Sequence, residues 1–137
     1  MNAYQTTLTI GRSLDGVFQK LIRVADWWTK DFKGGSDALG DEFIIHHPGA
    51  HYAKHKVVEF VPRQKLVWLV TESKLDWLKD PDEWTGTKMV FELKPGQLIF
   101  THEGLTPEKE SYERCSQGWD LVIHQHLTNF IINNQTI

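Results

Sequence analysis

The chain carries a single cysteine, Cys115, so an internal disulfide is impossible. A reducing compartment is the expectation, and a cytoplasmic location follows from it. No stretch approaches about 18 consecutive apolar residues, so no membrane-spanning helix is expected. The first residues, Met1-Asn2-Ala3-Tyr4-Gln5, offer neither a basic region nor an apolar run. No secretory signal is expected from them. Positive charge is not in excess: the net charge is −3 with histidine neutral. That balance lacks the electrostatic footprint of a nucleic-acid or anionic-membrane partner. Gly34-Gly35 has neither the Lys-Ser/Thr ending of a phosphate loop nor dinucleotide-binding spacing. No serine sits in a nucleophile elbow.

What is present is aromatic. The 137 residues include six Trp and seven Phe, within an ordinary 40% hydrophobic and 24% charged composition. That length suits one domain, 1–137, with a genuine core. Aromatic rings bury much area per residue and also line pockets and interfaces.

Residues 4–10 read as a strand rich in Thr, Leu and Ile. Ser13 is a good helix N-cap, with Asp15 in the first turn. Leu14, Val17, Phe18, Leu21, Ile22 and Ala25 repeat at helical spacing. Strand signals follow at 42–47, 52–60, 65–71, 85–93 and 97–103, with Pro95-Gly96 as a hairpin turn. The alternation of Thr87, Met89, Phe91 and Leu93 marks one strand face. The strongest helix spans about 108–132. Tyr112, Cys115, Trp119, Val122, Ile123, His126, Leu127 and Phe130 fall on its apolar arc. Strand, helix, five consecutive strands and a long helix predict an α+β fold. A curved antiparallel meander of about six strands would wrap the last helix, leaving a ligand cavity between them.

Three segments resemble a known family. Asp82-Glu83-Trp84-Thr85-Gly86-Thr87 with Val90-Phe91-Glu92-Leu93 is one. Phe100-Thr101-His102-Glu103-Gly104-Leu105 is the second, and Cys115-Ser116-Gln117-Gly118-Trp119 the third. Together with the element order over 4–132, they resemble the helix-grip fold of the START and Bet v-type superfamily. The branch is the one related to the activator of the heat-shock protein 90 ATPase. The resemblance implies the fold directly. For function it implies a set of roles: lipid carrier, hormone receptor, polyketide cyclase or co-chaperone domain.

Several constellations are candidates. His46, His47, His51 and His55 are close in sequence, but His46 and His47 point to opposite faces of a strand. His51 and His55 have HxxxH spacing on a strand and lack the zinc-protease Glu. They read as surface and rim histidines, and neither a metal nor a cofactor is expected. His126 lies inside the apolar arc, where an imidazole needs a partner. It is read either as a bonded core histidine or as a polar anchor in the cavity. His102 is the second such candidate and could approach His126 if the Leu98–Phe100–His102 face is inward. Trp68, Trp84, Met89, Phe91, Trp119 and Phe130 form the expected apolar wall, with Trp119 favoured as a contact. Trp27 and Trp28 are adjacent, so one is expected to face the core and the other the cavity mouth. The 72–83 segment carries Leu75, Trp77 and Leu78 and is read as a lid, a short helix or a dimer contact. Cys115 is read as a buried structural thiol, since no base is evident beside it.

Three functions follow as hypotheses. The first is a non-catalytic module binding a small, mostly apolar molecule, a carrier or sensor. The second is a regulatory module that contacts a chaperone or a second copy of itself. The third is a cyclase, dehydratase or hydrolase using His126 or His102 as acid or base, no catalytic residue being assigned.

Overall fold

The computed structural model describes residues 2–47 and 51–137, with His47 described by its backbone alone. It is α+β. The strands are β1 (Tyr4–Thr9), β2 (Phe32–Gly34), β3 (Glu42–His47), β4 (His51–Val61), β5 (Lys65–Lys74), β6 (Lys88–Lys94) and β7 (Gln97–Glu103). Helices α1 (Leu14–Leu21) and α2 (Val24–Trp27) follow β1. A continuous C-terminal helix comprises α3 (Tyr112–Leu121), a π-helical segment (Val122–Leu127) and α4 (Thr128–Asn133).

The sheet order is β1-β7-β6-β5-β4-β3-β2, every pair antiparallel. Strands β2 to β7 form a meander, and β1 closes on its far edge with Tyr4 opposite His102. Two register shifts in β4, at Lys54/His55 and Val57/Glu59, bend the sheet toward the helix.

The expected six strands are seven. Strand β2 is a three-residue edge ending at Gly34 (φ 109°), too short to carry an alternating signal. Strand β5 runs past the expected end at residue 71, because Tyr52 pairs with Lys74 and extends the ladder. Of the expected 72–83 loop, the part beyond β5 forms turns, not a helix. The first helix breaks at Arg23 (φ −91°, ψ 64°), so α1 and α2 are separate. At its start Ser13 Oγ accepts from Gly16 N at 3.1 Å, the cap the sequence indicates.

The C-terminal helix lies across the concave face. Trp119, Ile123, Leu127 and Ile131 are buried at four-residue spacing. A π turn is wider than an α turn, and Thr128 Oγ1 occupies the opened ladder by donating to Ile123 O at 3.0 Å. Val122 and His126, placed on the core arc by a uniform 100° step, therefore turn to the helix flank and are only half-buried. At the far end Lys20 Nζ donates to the Phe130 carbonyl at 2.9 Å and lies over the Phe130 ring. A cation at exposed helix carbonyls is the arrangement the helix dipole favours.

Rings fill the space between helix and sheet. Trp68 meets Phe91 edge-on at 4.8 Å, Phe91 meets Phe100 at 4.8 Å, and Phe100 meets Trp119 at 4.5 Å. Trp27 and Trp28 both pack in the core, at 0% and 4% exposure, and Trp28 also lines a cleft, the place expected for one of the pair. Trp28 lies at the C-cap, where the chain leaves the helix, so both indoles can turn the same way. They stack on each other (13°) and both on Trp68 (19° and 6°).

Two glycines separate backbone strain from packing. Gly96 (φ 76°) has open space where a Cβ would stand, whereas at Gly104 (φ 100°) a Cβ would lie 2.6 Å from Thr87 Cγ2. Gly96→Ala should cost about 1–2 kcal/mol, the left-handed penalty alone. Gly104→Ala should cost clearly more, because overpacking adds about 1–3 kcal/mol. Urea denaturation of both variants measures the difference, and equal costs would contradict the contact with Thr87.

Candidate functional site

The indole N–H of Trp119 is a donor only, and it points at His102 Nδ1, 3.1 Å away. Nδ1 must therefore accept, so the His102 proton sits on Nε2. Nε2 donates to Thr87 Oγ1 at 2.9 Å, and the Thr87 hydroxyl passes its own proton to the Trp84 carbonyl at 2.6 Å. The relay leaves none of these groups unsatisfied. It also joins the three segments that carry the family resemblance: the 82–87 turn, the end of β7 and the start of α3. Trp84 meets His102 edge-on at 4.9 Å. His102 is fully buried, and burial pushes its pKa down to about 3. Protonating Nδ1 would also set two donors against each other.

Above this buried relay the helix flank and the 75–84 turns diverge. A cleft of about 240 Å³ opens there, below the roughly 300–1,000 Å³ of drug-sized pockets. Its walls are Trp28, Trp77, Trp84, Trp119, His51 and His126, with Arg114, Cys115, Gly118, Leu121 and Val122 along the helix. The helical residues recur at three- and four-residue steps, so a single flank supplies them. Arg114 lies over the Trp77 ring at 4.4 Å. Trp84 and Trp119 are parallel within 8° at 6.3 Å, and Trp28 inclines to Trp119 at 5.0 Å.

The wall expected from the sequence divides here. Trp84, Trp119 and His126 line the cleft. Trp68, Met89, Phe91 and Phe130 lie in the core, at 1% exposure or less. His102 is sealed behind Trp119 and does not share the cleft with His126. The cleft therefore flanks the helix instead of lying beneath it. Trp77 forms one wall of it, while Leu75 and Leu78 are buried. Gly118 and Arg114 were not singled out by sequence. A glycine in a helix interior, one turn beyond an arginine, was the available signal.

The histidine group is not uniformly at the surface. His46 is exposed and pairs with Asp31 at 3.2 Å, and His51 lines the cleft. The side chain of His47 lies outside the described residues. His55, expected at the rim, is a core residue at 0% exposure, stacked on Phe43 at 4.6 Å and 14°. It alternates inward with Ala53 and Val57, the pattern of the buried face. Its ring nitrogens have no partner of hydrogen-bond geometry. Burial holds its pKa down at about 3, opposed weakly by the Phe43 backbone. Cys115 is half-buried at the cleft wall, and desolvation pushes its thiol up to about 11. The nearby Ser111 hydroxyl and Trp84 indole offset this only in part. At neutral pH it is a protonated thiol, not a nucleophile.

No family model matches the chain, and no curated protein matches it significantly. Solved structures do. The structure titled as the Aha1 dimer from Colwellia psychrerythraea superposes with a TM-score of 0.74 at 19% identity, covering 96% of this chain and 98% of that one. A protein of Mesorhizobium loti gives 0.75 at 16% identity, covering 99% and 100%. A second, from Rhizobium loti, gives 0.69 at 16% identity, covering 90% and 92%. At these identities the likeness is one of fold. The chain has a helix-grip fold like that of the Colwellia structure, and none of its described helices is long and apolar enough to cross a membrane.

The two core imidazoles make stability depend on acid. Each has a folded-state pKa of about 3, below its unfolded value near 6.5. Between these values the unfolded chain binds more protons, so stability is complete above about pH 6.5 and declines as pH falls toward 3. Each neutral histidine should contribute a slope approaching about 1.4 kcal/mol per pH unit. Urea midpoints from pH 7.5 to 4.5 measure it. His55→Phe should remove about half of the slope, and an unchanged slope would contradict the assignment.

Proposed function

We propose that this domain binds a small, mostly apolar molecule in the cleft beside Trp119, as a non-catalytic carrier or sensor. One observation supports it above the rest. Gly118 stands inside α3, where glycine costs about 1 kcal/mol relative to alanine. Yet nothing lies within 4 Å of the Cβ it lacks. No contact within the protein requires glycine there. The missing side chain keeps the cleft open for something outside the chain. Large flat rings give such a site contact area at low entropic cost, since they are already held by one another.

A second reading has its own support. Leu121, 45% exposed, stands at the cleft rim, and the Colwellia protein of like fold is titled a dimer. On that reading a second copy, or a chaperone partner, covers the same face. Light scattering at several concentrations, on the wild type and on Leu121→Gln, separates it from the first. Concentration-dependent association that Leu121→Gln abolishes would favour an interface.

The first reading is tested by filling the space. Native mass spectrometry of freshly purified protein should carry a small-molecule adduct, and naphthol, an uncharged aromatic probe, should bind by calorimetry. Gly118→Ala should raise stability by up to about 1 kcal/mol and keep binding. Gly118→Leu should fold equally well and lose binding at least about tenfold, as a filled pocket must. Undiminished naphthol binding to Gly118→Leu would overturn the reading.

A further inference from the structure

We infer that the occupant of this cleft is a planar aromatic acid, its ring seated among the indoles and its carboxylate or similar oxyanion held by Arg114. The inference rests on the ligand-binding reading and deepens it.

The polar groups of the cleft carry the argument. Trp84 is 3% exposed, yet its indole N–H has no acceptor of hydrogen-bond geometry. Its neighbour is the protonated sulfur of Cys115, a weak acceptor. That indole nitrogen is closed off from the cleft, so Trp84 offers it ring surface only. The N–H of Trp119, its neighbour on the cleft wall, is spent on His102. Both indoles therefore present rings to the cleft, and neither presents a donor.

Arg114 supplies the charge. Among the described residues it has no carboxylate within ion-pair distance, although acidic side chains are common nearby in sequence. Its guanidinium carbon lies 4.4 Å from the centre of the Trp77 ring. A guanidinium carries its donors in a planar fork that can receive a carboxylate in two parallel hydrogen bonds. Arg114 also belongs to the first turn of the ten-residue α3, where the helix dipole favours an anion. One cation without a carboxylate therefore stands at the cleft wall, and rings line much of the rest. That division selects a flat apolar body with a single anionic end. An aliphatic acid would use the cation and waste the ring faces, while a neutral arene would leave Arg114 without a counter-charge.

Calorimetry with naphthoate and naphthol on the intact protein tests this. Naphthoate should bind at least about tenfold more tightly, the worth of a charge-assisted hydrogen bond. Arg114→Gln should abolish that preference and leave naphthol affinity within about twofold. Trp84→Phe, which keeps a ring and removes only a buried N–H, should leave the preference within about twofold. Raising the ionic strength should weaken naphthoate alone. If naphthol binds and naphthoate binds no better, or if Arg114→Gln leaves the preference intact, the inference fails while the apolar-ligand reading stands. If neither probe binds, both fall.

Discussion

The rest of the site depends on one interaction: the indole N–H of Trp119, buried against the sheet, finds an acceptor. His102 provides it, and in doing so accepts a tautomer, a neutral charge state and a fixed ring plane. Thr87 takes the other proton and closes the relay on the Trp84 backbone. Each bond is worth only about 1 kcal/mol net, but each orphaned member would cost about 1–3 kcal/mol. The relay is therefore a constraint more than a source of stability. It aligns the end of β7, the turn before β6 and the start of the long helix. Gly104 is drawn in too, because only a residue without a Cβ lets Thr87 come so close.

Fixing Trp119 from behind has a consequence in front. Its exposed edge and the parallel Trp84 become a rigid wall, already ordered before any ligand arrives. Trp28 completes that wall, anchored on Trp68. Among the described residues, five of the six Trp join this one array. The sixth, Trp77, stands across the cleft beneath Arg114. The aromatic content thus serves two ends at once. Its inner members fill the helix–sheet space, and its outer members line a surface left open.

The π-helical segment decides which residues those outer members meet. Had the helix kept an α pitch, Val122 and His126 would face the sheet. The wider turn keeps Ile123 and Leu127 in the core and moves the other two to the flank. The same segment is closed by a Thr128 side chain, so the irregularity is built into local chemistry. Irregular turns of this kind are frequent at functional sites.

Much of this was legible in the chain itself. Alternation in β6, the cap at Ser13, the Pro95-Gly96 turn and the apolar period of the last helix determine the element order, because each is a local preference. They also place Trp84, Trp119 and His126 among the candidates. Tertiary structure alone decided the remainder. The edge strand β2 exists only because β3 offers it a partner. His55 is buried because its face of β4 turns inward against Phe43, and both Trp27 and Trp28 are buried because the chain leaves its helix between them. Trp68, Met89, Phe91 and Phe130 look like any cavity-lining residue in a one-dimensional pattern, since core and pocket walls share the same chemistry. Which of them meets empty space depends on how surfaces diverge in three dimensions, and periodicity carries no information about that.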